Sequence, residues 1–384
     1  MVKIAYVGDF LNHGKSLQTF GTSLVLLMSR FETVDSIDVF CPKADYTTEE
    51  FFPPSKLKIN NAYRYDDAIS LLGLLKIPWN VYDAVIFSMI PTGFGDSSLA
   101  NATGLMLPIL LSRFLKKKNI KVIYHNSALT NDVAKLGYNS MFDGIRTFLL
   151  TIVERNLFRN VKTFVLFDLY KHRIDNSVGR NRVGVLDSRY LEAVATLYMN
   201  NALDVESAEL QVNKIPIILM HGFWGPQKNI ELGLSALRHL KEQGITFKLI
   251  ISGGINHHFP EYERKFNELL SIYSDVIYEY IGSVNEKMIM NLFLNTDLLI
   301  LPYNTPGGHS GVLEQAIFFE IPTIAIDFPE YREQAEGFSY VKLVSPEMIP
   351  IAVLDMLNSK NNKSALKIRS KILQTLKSQE CLLL

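Results

Sequence analysis

The stretch Leu298-Leu-Ile-Leu-Pro-Tyr-Asn-Thr-Pro-Gly-Gly-His-Ser-Gly-Val-Leu-Glu-Gln-Ala316 has the pattern of a strand, a turn and a helix. The four apolar residues at its start suit a strand that is buried on both faces. The glycines Gly307 and Gly308 permit a tight turn, and Ser310 is a good N-cap, so we expect a helix to begin at about Gly311. Unpaired amides at such a helix start attract an anion, and Gly311 has no side chain to keep a phosphate away.

Glu314 follows Ser310 by one helical turn and lies on the same side of the predicted helix. A carboxylate repels phosphate, whereas it is a good acceptor for the hydroxyls of a ribose. The alternative is a capped helix with a favourable acid in its first turn and no ligand. The residues alone leave both interpretations open.

Similar units of strand, turn and helix recur along the whole chain. The first half has apolar runs at Val2–Val7, Ser36–Phe40, Ala84–Phe87, Lys121–Tyr124 and Thr163–Phe167. The second half has them at Ile217–Met220, Phe247–Ile251, Val276–Ile281, Leu298–Leu301 and Thr323–Ile326. Intervening segments such as 99–118 and 143–159 are long enough for crossover helices.

This alternation predicts an α/β protein with two doubly wound, Rossmann-like domains, each built on a parallel sheet. We place the domains at 1–208 and 209–384, and we expect the last helix to pack back on the N-terminal domain. In such a pair the carboxyl ends of the two sheets face a central cleft, where ligands of α/β proteins bind.

Composition narrows the class of protein. Lys+Arg and Asp+Glu are equal at 39 each among 384 residues, which argues against a dedicated nucleic-acid binder. The two cysteines, Cys41 and Cys381, are far apart and give no disulfide framework or zinc site. No apolar run is long enough for a membrane span or a signal peptide, so we expect a cytoplasmic protein.

The stretch Val7-Gly-Asp-Phe-Leu-Asn-His-Gly-Lys-Ser16 resembles a P-loop but has the wrong spacing. A P-loop has four residues between its glycine and Gly-Lys-Ser, whereas Gly8 and Gly14 are separated by five. Lys15 is therefore not a P-loop lysine. We interpret the stretch as a strand, a glycine-containing turn and a helix, which can line a ligand site.

Another candidate is Lys228, in the stretch His221-Gly-Phe-Trp-Gly-Pro-Gln-Lys-Asn-Ile-Glu231. It follows a predicted strand and two glycines and comes directly before a predicted helix. A lysine here is a mobile point charge that could meet a diphosphate. The alternative is an ordinary solvated lysine.

These stretches together resemble a known family. The residues that carry the resemblance, in order and spacing, are Gly222–Asn229, Ser252–Gly254, Tyr280–Val284, Thr296–Pro302, Gly311–Ala316 and Ile321–Asp327. They are similar to those of the group 1, retaining glycosyltransferases that use nucleotide sugars. The match is good over residues 215–345 and loose in the N-terminal half. It implies the GT-B fold, a nucleotide-sugar donor held mainly by the C-terminal domain, no metal and no other cofactor.

The resemblance assigns roles to single residues. Lys228 matches the family lysine on the donor diphosphate, and Glu314 matches the second glutamate of the paired-glutamate motif, which holds the ribose. His125, in Ile123-Tyr-His-Asn-Ser127, resembles the family histidine beside the donor sugar, where we expect it to orient the sugar. A hydrogen-bonded structural histidine is the alternative. The remaining residues that we predict to bind the donor are Gly8, Gly14, Gly222, Gly308, His309, Ser310, Gly311 and Val312.

Two positions depart from the family pattern, and one further residue is predicted to contact the acceptor. Phe223 replaces the arginine beside the family lysine, and Pro306 replaces the first glutamate, which contacts the donor sugar. His309 or the backbone of Gly307 and Gly308 is the expected substitute for that glutamate. Asp9 is our candidate for contact with the acceptor hydroxyl, and we group it with His125 as a catalytic-site residue.

The sugar acceptor is predicted from basic and apolar segments of the N-terminal half. Arg113 and the lysines at 116–118 form a basic cluster after an apolar helix, and residues 135–159 mix aromatic, aliphatic and basic side chains. Basic residues beside apolar ones favour a membrane surface, so we expect peripheral contact with the inner face of a membrane and a lipid-linked or surface-polysaccharide glycan as acceptor. A solvated helix end is the alternative. Two other functions stay open: a non-catalytic binding subunit of the same fold, and a sugar-nucleotide epimerase.

Overall fold

A computed structural model describes residues 1–10, 16–43, 53–91, 93–95, 97–114, 119–127, 129, 143–179, 183–209, 215–256, 259–306, 308–359 and 365–383. The chain forms two compact units. The N-terminal unit consists of Met1–Ala195 with Leu373–Leu384, and the C-terminal unit consists of Thr196–Ile372. The boundary placed from the sequence, between residues 208 and 209, lies slightly later in the chain.

The N-terminal unit contains a seven-stranded sheet in the order β3-β2-β1-β4-β5-β6-β7. All of its strand pairs are parallel. The strands are β1 (Val2–Val7), β2 (Val34–Pro42), β3 (Leu57–Tyr63), β4 (Ala84–Met89), β5 (Ile120–Tyr124), β6 (Lys162–Val165) and β7 (Val183–Val185). The helices are α1 (Ser16–Ser29), α2 (Ala68–Gly73), α3 (Ser98–Phe114), α4 (Asp143–Asn160) and α5 (Asp168–Val178), followed by α6 (Ala193–Met199), which contains the division between the units.

The C-terminal unit contains a six-stranded sheet in the order β10-β9-β8-β11-β12-β13, again with parallel pairs throughout. Its strands are β8 (Ile217–His221), β9 (Lys248–Ser252), β10 (Ile277–Ile281), β11 (Leu298–Leu301), β12 (Thr323–Ile326) and β13 (Val341–Val344). The helices are α7 (Ile230–Glu242), α8 (Tyr262–Ile272), α9 (Glu286–Leu294), α10 (Gly311–Phe318), α11 (Pro329–Gln334) and α12 (Ile349–Asn358). The N-terminal unit includes Leu373–Leu383 of the last helix, α13 (Ile368–Leu383).

The two parallel sheets confirm the predicted fold class, and every predicted strand is present with bounds shifted by at most two residues. The sequence analysis missed β3, β7 and β13. All three are edge strands, and β3 is polar along much of its length, with the sequence Leu-Lys-Ile-Asn-Asn-Ala-Tyr. An edge strand is not buried on both sides, so it lacks the continuous apolar run by which the central strands were found.

The strand orders determine which loops meet. In the N-terminal sheet β1, β4 and β5 are neighbours, so the residues that follow them lie at one edge. In the C-terminal sheet β9, β8, β11 and β12 are neighbours in the same way. Within the described part of the chain, no helix combines the length and hydropathy of a membrane span.

Candidate active site

In the C-terminal unit the loops after β8 and β9 approach each other closely at two glycines. The Gly222 N–H donates to the Ser252 carbonyl at 3.2 Å, and Gly222 has a φ of +146°. A Cβ on Gly253, whose φ is +105°, would lie 1.9 Å from the Gly222 carbonyl oxygen. The backbone of both residues therefore requires glycine, and the absence of side chains leaves the end of β8 open to a ligand.

The predicted lysine is held by the loop that follows β11. Lys228 ends a 3₁₀ turn, Pro226–Lys228, after which Asn229 adopts the left-handed conformation. The Asn304 side chain donates to the Pro226 carbonyl at 3.1 Å, and the Asn304 N–H donates to the Gln227 carbonyl at 3.1 Å. The strand order thus brings Lys228 against the stretch that begins at Leu298.

The ammonium of Lys228 lies over an aromatic ring rather than beside a carboxylate. Its Nζ is 3.6 Å from the ring centroid of Tyr303, and within the described residues it forms no ion pair. Desolvation lowers the pKa of Lys228 to about 7. A partly buried cation that is stabilised by a ring and by no ion pair in the described part of the chain is suited to an anionic ligand.

Tyr303 places a hydroxyl at the same point. Its residue surface is 2% exposed, and its hydroxyl has no hydrogen-bond partner in the described part of the chain. The hydroxyl oxygen lies 3.5 Å from the place that a Cβ on Gly222 would occupy. Burial raises the pKa of Tyr303, so it remains a hydroxyl donor at neutral pH. An unsatisfied buried hydroxyl costs about 1–3 kcal/mol, which a ligand oxygen could recover.

The start of α10 supplies backbone donors. Ser310 caps the helix as predicted, since its side chain accepts from the Leu313 N–H at 3.3 Å. The Gln334 side chain hydrogen-bonds to both backbone groups of Ser310. Its Oε1 accepts from the Ser310 N–H at 3.3 Å, and its Nε2 donates to the Ser310 carbonyl at 2.8 Å. The first-turn amides of Gly311 and Val312 have no hydrogen-bond partner among the described residues. The Val312 side chain lies 3.9 Å from the Cβ position of Gly222, so α10 starts beside the end of β8.

Glu314, which we predict to hold the ribose, already contacts another protein side chain. Glu314 Oε2 lies 2.5 Å from His309 Nε2, with side-chain exposures of 2% and 6%. Gln334 Nε2 lies 3.4 Å from the same histidine nitrogen. The structure thus brings these two predicted residues together, in a buried pair one turn into α10. Whether Glu314 contacts a ribose stays a prediction.

His221, at the end of β8, is a buried neighbour of this group. Its Nδ1 lies 2.8 Å from the Ser252 hydroxyl. Desolvation, together with the charge of Lys228, lowers the pKa of His221 to about 4, so its imidazole is neutral at physiological pH. It therefore adds no positive charge to the site.

The N-terminal candidates lie at the ends of β1, β4 and β5. Gly8 has a φ of +156°, and a Cβ there would lie 2.7 Å from the Ser88 carbonyl oxygen. Gly8, Asp9 and Ser88 line one pocket, whose other walls include Gly93 and Phe94. Gly14 lies outside the described residues.

Asp9 and His125 both contact other side chains of the N-terminal unit. The Tyr65 hydroxyl donates to Asp9 Oδ1. His125 is 5% exposed, and its Nε2 lies 2.9 Å from the Ser88 hydroxyl. Its ring packs edge-on against Phe20, with centroids 4.3 Å apart. Ser88 therefore links the histidine to the pocket that contains Asp9.

Sequence analysis did not assign roles to Tyr303, Gln334 or Ser88. Tyr303 lies inside the stretch Leu298–Ala316, but a tyrosine after a strand belongs to no known motif. The contacts of Gln334 and Ser88 join separate segments of the chain. A covariation signal could have found them, whereas a single sequence has no such signal.

Part of the sequence matches a known protein family. Residues 204–371 match the family model described as glycosyl transferases, group 1. No curated protein matches the sequence.

Solved structures match over the whole chain. Sucrose-phosphate synthase from Thermosynechococcus elongatus is 14% identical, with 100% of this chain and 95% of that chain covered and a TM-score of 0.63. HepE from Anabaena, in complex with UDP and glucose, is 11% identical, with 100% and 98% covered and a TM-score of 0.64. UDP-GlcNAc 2-epimerase from Methanocaldococcus jannaschii is 15% identical, with 98% and 99% covered and a TM-score of 0.56.

These identities are too low to transfer an activity, but the likeness in fold extends over the full length. The family match lies on the unit that holds Lys228, Tyr303 and α10. The chain thus has the GT-B fold, and its residues 204–371 match the model of the group 1 glycosyltransferases.

Proposed function

We propose that the protein is a retaining glycosyltransferase that moves a sugar from a nucleoside diphosphate sugar to a hydroxyl acceptor. One observation carries the proposal. The hydroxyl of Tyr303 and the side chain of Val312 lie beside Gly222, and the ammonium of Lys228 lies over the Tyr303 ring. Among the described residues Lys228 forms no ion pair, and the Tyr303 hydroxyl and the amides of Gly311 and Val312 have no hydrogen-bond partner. This is the donor set that a diphosphate requires.

The same groups would assist the chemical step. As the bond from the anomeric carbon to the diphosphate breaks, negative charge grows on the leaving oxygen. A cation and hydrogen-bond donors that are fixed before the reaction stabilise that charge more than they stabilise the intact donor. We therefore assign Lys228, Tyr303 and the start of α10 to the leaving group, with no metal ion needed for this role.

The other predicted residues have supporting positions. Glu314, backed by His309, would hold the ribose at the next turn of α10. His125 would orient the donor sugar, and Asp9 would contact the acceptor hydroxyl. The acceptor would be a lipid-linked or surface-polysaccharide glycan, and the enzyme would work at the cytoplasmic face of a membrane.

Thermal unfolding with UDP-, GDP- and ADP-sugars tests the donor assignment. A ligand that binds only the native state raises the melting temperature with the logarithm of its concentration. We expect one nucleotide class to stabilise the protein and Lys228→Met to abolish that effect. Lys248→Met is the matched control, because Lys248 Nζ also lies over a tyrosine ring, 4.5 Å from the centroid of Tyr278, at the far edge of the sheet.

Measuring turnover of the donor then distinguishes a glycosyltransferase from an epimerase and from a non-catalytic subunit. Sugar transfer to an acceptor, with the anomeric configuration kept, supports the proposal. Conversion of the donor without an acceptor would instead identify an epimerase, a possibility raised by the likeness in fold to the UDP-GlcNAc 2-epimerase. Binding without turnover across a wide acceptor panel would identify a non-catalytic subunit.

A further inference from the structure

The turn that leads into α10 contains glycine and needs contacts from other segments to hold one conformation. Gly308 has a φ of +90°, and Gly311 comes directly after the cap at Ser310. Glycine has the widest choice of backbone conformations, so fixing it costs the most conformational entropy. The direction of the first amides of α10 therefore depends on what holds this turn.

The side chain of Gln334, on α11, pairs with both backbone groups of Ser310. Its Oε1 accepts from the Ser310 N–H at 3.3 Å, and its Nε2 donates to the Ser310 carbonyl at 2.8 Å. A side-chain amide carries a donor and an acceptor in one uncharged group, which allows both bonds at once. Gln334 is 8% exposed, so water competes little for either bond. One side chain thus fixes the two peptide groups that flank Ser310.

The bond to the Ser310 carbonyl also sets the direction of the next amide. A peptide group is planar, and the described residues contain no cis peptide bond, so the Ser310 carbonyl and the Gly311 N–H point in opposite directions. The same carbonyl accepts from the Glu314 N–H at 3.0 Å, which uses its second lone pair. Because the carbonyl is held by two donors, the Gly311 N–H is fixed on the side of the peptide that faces away from Gln334.

Tyr331, one turn earlier on α11, holds the other end of the same turn. Its hydroxyl donates to the Pro306 carbonyl at 3.3 Å. Its ring is fully buried and packs edge-on against the ring of Tyr303, with centroids 6.4 Å apart. Helix α11 therefore contacts the turn at both ends and also supports the ring that lies under Lys228.

We propose that Gln334 is a positioning residue of the donor site, which aims the Gly311 amide at the donor diphosphate before the donor binds. This role rests on the proposed function, which supplies the diphosphate that the amide would meet. A hydrogen-bond donor that is already oriented costs less to bind than one that must be ordered on binding. Gln334 is also neutral, whereas a carboxylate at this position would repel the anion.

Calorimetric titration of the full chain with UDP, GDP and ADP tests the proposal, and the parent nucleosides serve as probes without phosphate. Gln334→Met keeps the length of the side chain and removes both bonds to Ser310. We expect it to weaken the affinity for the diphosphate that the wild-type protein binds about tenfold, because two hydrogen bonds that orient the amide are lost. The affinity for the nucleoside should stay unchanged. An equal loss for nucleoside and diphosphate would overturn the proposal.

Gln379→Met is the matched control for the loss of a buried glutamine. Gln379 is also buried, and its Nε2 donates to the Asp187 carbonyl in the N-terminal unit. Thermal unfolding should show a loss of stability in both variants, whereas only Gln334→Met should lose affinity for the diphosphate. The same loss of affinity in the control would assign the effect to fold stability and refute the positioning role.

Gln334→Asn is a milder second variant, which keeps an amide but is shorter by one methylene. It cannot reach both backbone groups of Ser310, so we expect an intermediate loss of diphosphate affinity of about threefold. It also provides the measurement if Gln334→Met does not fold. Full diphosphate affinity in a folded variant of either kind would overturn the proposal.

The wild-type titration separates this role from the proposed function. If the wild-type protein binds none of the three diphosphates, the proposed function fails and the positioning role fails with it. If the wild-type protein binds one of them and the Gln334 variants bind it equally well, only the positioning role fails.

Discussion

The candidate site residues of the C-terminal unit and those of the N-terminal unit differ in whether their polar side chains have hydrogen-bonding or ionic partners. In the C-terminal unit Lys228 and Tyr303 are partly or fully buried and lack hydrogen-bonding or ionic partners among the described residues. In the N-terminal unit Asp9 and His125 already contact Tyr65 and Ser88. The first arrangement is suited to binding an anionic ligand that completes it. The second holds its side chains in fixed positions before any ligand arrives.

The largest expected effect comes from removing the partly buried cation. Lys228→Met should weaken the affinity for the nucleotide sugar about 100-fold, because a diphosphate left beside an uncharged side chain loses its charge-assisted contact. The free protein should become more stable by about 1 kcal/mol, since a desolvated ammonium no longer opposes folding. Calorimetric titration and thermal unfolding measure both. A variant with weaker binding and lower stability would instead indicate damage to the fold.

The pH dependence of donor binding gives a second test of the Lys228 ammonium. Desolvation lowers the pKa of Lys228 to about 7 in the free protein. A bound diphosphate favours the ammonium and raises that pKa, so binding above pH 7 takes up a proton. The affinity should therefore fall by up to about tenfold per pH unit above pH 7 until the pKa of the complex is reached. Titrations in buffers of different ionisation enthalpy measure the proton uptake, and Lys228→Met should show none.

The hydroxyl of Tyr303 should contribute less than the cation. Tyr303→Phe keeps the ring under Lys228 and removes only the unsatisfied donor, so we expect donor affinity to fall about tenfold with no loss of stability. Tyr340→Phe is the matched control because its hydroxyl already donates to the Ile317 carbonyl at 2.8 Å. That variant should lose stability and keep its affinity. The same pattern in both variants would remove Tyr303 from the site.

The smallest effect is expected where the side chain is already held in place. Ser88→Ala removes the partner of His125 and should lower kcat about fivefold while leaving the affinity for the free nucleoside diphosphate unchanged. Steady-state kinetics and calorimetry separate the two quantities. Ser29→Ala, at a buried serine that donates to the Leu26 carbonyl, is the control. A fall in nucleotide affinity with unchanged kcat would contradict a role for Ser88 in positioning His125.

Much of the fold could be predicted because central parallel strands are buried on both faces. That burial forces runs such as Ile4–Val7 and Leu298–Leu301 to be continuously apolar, and a continuous run is visible without coordinates. Edge strands such as β3 and β13 have no such requirement, so their sequences do not distinguish them from loops. Strand pairing and strand order depend on contacts between distant segments.

In the candidate site, too, some features could be predicted from the sequence and others depend on contacts between distant segments. The start of α10 could be predicted from the residues alone, because the cap at Ser310 and the small residue after it act within one turn of chain. The sequence also placed Lys228 between a strand and a helix, directly before the helix. The contacts of Lys228 with Tyr303, of Gln334 with Ser310 and of Glu314 with His309 are visible only in the three-dimensional structure. Each of these contacts depends on burial and on the packing of separate segments, whereas a helix cap depends only on its neighbours in the chain.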